Sequence, residues 1–228
     1  MANLSEKIVQ DTAQAFLYNR YYNKARKGRV FSRTEVRTRQ KFGGKRADGL
    51  LAFQHYLWGT YVISMEAKSF KTLSSMKPKR DDNLLVWNSV KAGLKFCVIS
   101  GMFFALYRMD DGFLQFILPL NMFVCGAIIF GFFTLHSYRH KKVNVIRQLA
   151  QYPANERWLA FSKDSLDLLE KDKLNALDKI CKFKGIGIIV VSRKGRAKVK
   201  RSASMRWKWF GDFLTYYSHE KRIREAIQ

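Results

Sequence analysis

The sequence predicts an α/β protein: a mixed sheet flanked by helices, interrupted by a two-helix hairpin of membrane-spanning length. Three observations predict this. Residues 45–68 hold two β-rich apolar runs around a short loop with Gly59, the pattern of a β-hairpin. Helical and strand periodicities alternate before this hairpin and again toward the C-terminus. Between those halves lie two long apolar runs, 86–107 and 113–135, joined by the short polar loop 108–112.

Taken in order, residues 4–25 read as an amphipathic helix. Ser5 can cap it, Glu6 lies in its first turn, and Ile8, Val9, Ala13, Phe16 and Leu17 recur at helical spacing. The helix should stop before Lys27-Gly28, and 30–42 alternates as a strand or extended arm. Gly43-Gly44 turns the chain into the 45–68 hairpin. Pro78 and mixed charges mark a connector after it. Beyond the apolar runs, 143–151 reads as a helix stopped by Pro153, and 157–162 as a short strand. One helix should run from Ser162 or Lys163 through the leucine-spaced stretch to Lys182, capped by Gly185. Residues 186–191 (IGIIVV) form a continuous apolar strand, as expected when both faces are buried. A basic strand at 196–201 and a last amphipathic helix at 207–227 complete the chain. The expected divisions are 1–85 and 139–228, two halves of one domain, with 86–138 as the membrane hairpin.

The second apolar run is uncharged throughout, while the first needs Lys91 and Lys95 to snorkel toward an interface. Basic residues flank the runs on the outer side (Lys77, Lys79, Arg80, Arg139, Lys141, Lys142), and the joining loop carries Asp110 and Asp111. The positive-inside rule then places both termini in the cytoplasm, in a two-span protein of the inner membrane. His136 and His140, one helical turn apart at that edge, read as interfacial residues.

The chain carries 42 Lys and Arg against 18 Asp and Glu, a formal net charge of +24, which calls for a polyanionic partner such as nucleic acid or an anionic membrane. Cys97, Cys125 and Cys181 lack paired spacing, so neither a disulfide framework nor a zinc site is indicated, and a reducing compartment is expected. The first ten residues carry no signal-peptide pattern.

If the hairpin turns symmetrically about Leu57, Asp48 lies across from Glu66. Glu66 and Lys68 then share a face, so three charges converge on an apolar hairpin. Charges in such a place are costly unless paired or bound to a metal. The alternative is a solvated ion pair at a strand end.

An acid ending one strand, Glu66-Ala67-Lys68 on the next, and the later runs AQYPANERWLAFS and KGIGIIVVSRKG resemble the PD-(D/E)xK nuclease superfamily and its restriction-endonuclease-like fold. Ala47 stands where the motif has its proline. The resemblance covers about 4–70 and 141–201, and it implies that an edge-forming strand and a helix precede the buried 186–191 strand. It implies Mg²⁺ or Mn²⁺ on the carboxylates of Asp48 and Glu66, with the Ala67 carbonyl as a further hard oxygen. It also implies that Lys68 orients water or balances transition-state charge. Glu6 matches the first-helix glutamate of many members, and Gln148 with Tyr152 matches a Gln-x-x-x-Tyr pair that positions substrate. Arg39, Lys45 and Arg46 before the site, with Lys198 and Lys200 in the later basic strand, are candidate phosphate-backbone contacts. Trp207 and Trp209, interleaved with Arg206 and Lys208, suit either base stacking or a lipid interface.

The expected function is therefore a membrane-anchored DNA endonuclease at the cytoplasmic face, serving in defence against phage DNA. A regulatory partner or homo-oligomer is expected to restrain it. The competing expectation is an inactive membrane tether that binds nucleic acid or anionic lipid through the same basic surface.

Overall fold

The computed structural model describes residues 4–106, 112–135, 137 and 140–228. They form two compact units, Met1–Pro78 with Val143–Gln228, and Lys79–Lys142. The first unit runs α1 (Glu6–Tyr22), β1 (Ala25–Arg37), β2 (Arg46–His55) and β3 (Gly59–Lys68) before the insertion. The insertion holds β4 (Lys79–Arg80), α2 (Asp82–Leu106), α3 (Gly112–Thr134) and β5 (Lys141–Lys142). The first unit then resumes with α4 (Asn144–Leu149), β6 (Glu156–Ser162), α5 (Lys163–Asp167), α6 (Lys171–Phe183), β7 (Ile186–Val191), β8 (Ala197–Arg201) and α7 (Glu220–Ile227).

Its sheet has six strands in the order β1-β2-β3-β6-β7-β8. The two central pairings, β3 with β6 and β6 with β7, are parallel, and the outer ones are antiparallel. The halves on either side of the insertion thus complete one mixed sheet at the β3–β6 junction. The α1 helix starts at Ser5, whose hydroxyl accepts from the Ile8 amide, and lays Val9, Ala13 and Leu17 against Phe53, Ile63, Met65 and Trp158. On the opposite face α4 and α6 cover Leu159, Phe161, Ile186 and Ile188. The C-terminal segment covers Leu50, Ala52 and Val62. A Cβ at Gly187 would lie 2.4 Å from the Trp158 ring, so Gly187→Ala should cost about 1–3 kcal/mol through overpacking. Urea denaturation followed by tryptophan fluorescence would measure it.

Several elements depart from expectation. The strand β1 starts at Ala25, because a bulge with Lys27 and Gly28 at positive φ keeps the chain extended, and residues 40–42 form a 3-10 turn. The connector holds the 3-10 segment Phe70–Met76, whose Met76 is fully buried. The single helix expected from 162 to 182 is two, α5 and α6. Glu170 adopts ψ 139°, and the break at that point buries Leu169. The 207–227 helix is reduced to α7. Gly211 turns the chain at φ 67°, Asp212 caps the 3-10 turn Phe213–Tyr216, and Tyr217 bridges Thr38. The strand β6 is central and buried at every position, not edge-forming.

In the inserted unit β4 pairs with β5, so its boundaries lie outside the apolar runs. The helices α2 and α3 pack through small residues. A Cβ at Gly93 would lie 2.5 Å from the Phe123 carbonyl, and one at Gly126 2.6 Å from the Phe96 ring. Among the described residues one helix, α3, is long and apolar enough to cross a membrane, over Ile117–Thr134 at mean hydropathy 2.0. The α2 helix, with Lys91 and Lys95 in it, does not join it, so the expected pair of spans is reduced to one candidate. Residues 108–111 of the expected loop, His136 and Arg139 lie outside the described residues. His140 is buried rather than interfacial. Its Nδ1 faces the Thr134 carbonyl at 3.1 Å and so carries the proton, leaving Nε2 to accept from Asn88 at 3.1 Å.

Candidate active site

The β2–β3 ladder runs from Gly49 opposite Met65 to His55 opposite Gly59, which is symmetric about Leu57. One step further, Asp48 faces the Glu66 end of β3, and its Oδ2 accepts from the Ala67 amide at 2.8 Å. The Lys68 ammonium donates to Glu66 Oε1 at 2.8 Å and to Glu6 Oε1 at 3.3 Å, with Asp48 Oδ2 at 4.0 Å. Thus a strand pair and the first turn of α1 bring together all four residues: Glu6, Asp48, Glu66 and Lys68. The cluster is not a solvated ion pair. Glu66 is 0% and Lys68 6% exposed.

Burial pushes the Glu66 carboxyl up to about 7, reinforced by the Asp48 charge and opposed by Lys68. Burial also raises Asp48, against the Ala67 amide and the Lys68 charge. For Lys68, burial favours the neutral form, but the Glu66 carboxylate outweighs it and the ammonium is held protonated.

Among the described residues no three His, Cys, Asp or Glu side chains are spaced as metal ligands. The Lys68 ammonium lies among the carboxylates as their counter-charge instead. The donor set nevertheless fits a hard divalent cation. Carboxylates outnumber the ammonium, and Glu66 Oε2 is buried with no hydrogen-bond partner among the described residues. Asp48 and Glu66 would hold the ion, with Glu6 on the rim.

The remaining expected residues divide. Tyr152 is buried near the cluster; its hydroxyl donates to the Arg46 carbonyl at 2.6 Å and accepts from Gln148 at 3.4 Å. That bond ties the turn after α4 to the start of β2, so the buried Tyr152 acts as a support. Arg39 pairs with Glu220 and donates to the Tyr217 carbonyl, so part of its guanidinium is engaged away from the cluster. Arg46 is exposed, with Glu35 at 3.5 Å, and Lys45 is exposed beside it. Lys198 and Lys200 stand exposed on β8, three strands from β3, or about 14 Å away. The structure does not gather them with the site.

Two contributors to the cluster, and one buried carboxylate remote from it, escaped the sequence reading. Thr72, in the 3-10 connector, donates to Glu6 Oε2 at 3.2 Å. Gln10 donates to the Asp48 carbonyl at 2.7 Å. At the other end of the sheet, Glu156 is a second buried carboxylate, held by the Tyr21 hydroxyl, by Tyr61 at 2.7 Å and by the Trp158 indole at 3.0 Å. Position Gln10 on α1, one turn after Glu6, was the one available hint. The other two needed the tertiary fold.

No family model, curated protein or solved structure matches this chain. The functional reading therefore rests on the geometry of these residues.

Proposed function

We propose that this chain is a divalent-metal-dependent nuclease of the PD-(D/E)xK type that hydrolyses phosphodiester bonds in DNA, held at a membrane through α3. The observation that carries the proposal is the buried Glu66. One of its oxygens is bound to Lys68 and the other has no hydrogen-bond partner among the described residues, with Asp48 fixed beside it by the Ala67 amide. A divalent ion bound there supplies a lowered water pKa and charge neutralisation at the scissile phosphate. The residues of the chain do the rest. Glu66 and Glu6 hold the Lys68 ammonium in one place, so it meets a developing negative charge without reorganising. Asp48 is locked in its rotamer by the Ala67 amide. Tyr152 ties down the strand that carries Asp48.

The net charge of +24 favours a polyanionic substrate, and DNA meets that need. The finer membrane reading has α2 as a second span and both ends of the chain in the cytoplasm. A role against incoming phage DNA follows from that address, as does restraint by a partner or by self-association. Incubation of the purified chain with plasmid and linear DNA in Mg²⁺ or Mn²⁺ tests the reading. Wild type should cut, and Asp48→Ala should lower the rate at least about a hundredfold. Cleavage left unchanged by Asp48→Ala, or absent with both metals, would defeat it.

A further inference from the structure

One end of the sheet carries features that the nuclease reading does not use. At the β2–β3 turn, Tyr56, Leu57 and Trp58 are 66%, 77% and 45% exposed. Trp58 packs edge to face on Trp207 with ring centroids 4.3 Å apart, and Trp209 and Phe210 follow at 95% and 87% exposure. Exposed aromatic rings gathered at one end of a sheet mark a candidate interaction surface. A cleft of about 250 Å³ lies beside it, walled by Trp58 and Trp207.

A second observation lies on β6, the strand beside β3. Arg157, in the second position of β6, is 9% exposed, and its Nε has no hydrogen-bond partner among the described residues. No carboxylate pairs with it there. Its charged neighbour is Arg206, whose backbone is pinned to Asn155 by bonds of 2.8 and 3.2 Å. A buried guanidinium beside a like charge is costly without an anion. The cost shows in its proton affinity: burial, with Arg206 adding, lowers Arg157 to about 10. The nearby acids are engaged elsewhere, Glu156 by Tyr21, Tyr61 and Trp158, and Asp212 by Arg224.

We infer that this end of the unit is a second nucleic-acid surface, which takes single-stranded DNA or RNA with a phosphate at Arg157 and Arg206 and bases stacked on the exposed indole and phenyl rings. The planar guanidinium fork matches phosphate, and every base has a π face to stack. A bilayer surface, which offers headgroup phosphates but no bases to stack on these rings, is the alternative outcome of the test. The inference goes beyond the hydrolytic reading and does not depend on it.

The test is fluorescence anisotropy of a labelled oligo(dT) and of a duplex of equal length, with full-length protein in nanodiscs and EDTA present so that hydrolysis cannot contribute. The double variant Trp209→Ala/Phe210→Ala should weaken oligo(dT) binding about tenfold or more and leave duplex binding within about twofold. Arg206→Ala should weaken it and reduce the salt slope by about one unit. All three positions are exposed, so folding is not at stake. Duplex cleavage by Trp209→Ala/Phe210→Ala in Mg²⁺ is read in parallel, which separates failure here from failure of the nuclease reading. Unchanged oligo(dT) binding in both aromatic and arginine variants overturns the inference. So does loss of association with phosphatidylserine vesicles while oligo(dT) binding persists, which would make the surface a lipid-docking one.

Discussion

Lys68→Met should destabilise the first unit by about 3–5 kcal/mol at pH 8 without divalent ions, because it leaves the buried Glu66 and the half-buried Asp48 beside it without the Lys68 counter-charge. The cost should shrink at pH 5.5. Glu66 already sits at about 7 with the ammonium beside it, so without Lys68 it takes up a proton still more readily and the uncompensated charge disappears. Denaturant titrations at the two pH values, read by tryptophan fluorescence, measure the difference. An equal cost at both would mean that Lys68 packs there without balancing Glu66. The same substitution should lower divalent-dependent DNA cleavage about 10²–10³-fold even when added Mg²⁺ restores stability, since the metal replaces the counter-charge but not the aimed ammonium.

The second large effect couples pH to metal. The Glu66 carboxyl rises from its ordinary 4.5 to about 7 in the fold, so between those values the folded chain binds a proton that the unfolded chain has lost. This contribution is fully present below about 4.5 and is lost as pH rises through 7, amounting to roughly 3 kcal/mol. A divalent ion needs the ionised carboxylates and favours the opposite direction. Mg²⁺ or Mn²⁺ should therefore raise the melting temperature more at pH 8 than at pH 6, at about 2–4 °C per kcal/mol for a unit of this size, and binding should release protons. Glu66→Gln has no carboxyl to titrate. It should flatten the pH dependence of Tm and abolish most of the metal-induced shift. A metal shift of equal size in the Gln variant would place the ion elsewhere.

Much of the site could be read before the fold was known, for a local reason. In a hairpin, cross-strand partners follow from turn symmetry, and i, i+2 residues share a face, so Asp48, Glu66 and Lys68 were determined by the spacing about Leu57. Glu6 was a candidate only through the family resemblance; helix capping at Ser5 placed it in the first turn of α1 and no more. The phosphate contacts were not legible, because a basic residue looks the same whether it is free or paired. Arg39 is paired through Glu220, 181 positions away, while Lys198 and Lys200 stand on the far edge of the sheet. The 162–182 and 207–227 helices were overextended because periodicity records apolar spacing and not the breaks at Glu170 and Gly211, which depend on what Leu169 and Tyr217 bury against.

The sequence by itself determined the alternation of elements, the IGIIVV strand, the excess positive charge and one acid–acid–lysine hairpin, since each depends on residues within a few positions of one another. Only the tertiary structure decided that the halves flanking the insertion join through parallel β3 and β6, and that Glu66 is wholly buried with one oxygen unpartnered among the described residues. It alone also placed Arg157 beside Arg206 with no carboxylate paired to it among the described residues. Burial and long-range pairing set the cost of a charge, and neither is a property of local spacing. For the hairpin of Asp48, Glu66 and Lys68, the sequence supplied the residues, and the fold around them supplied the low-dielectric setting in which their charges acquire chemical force.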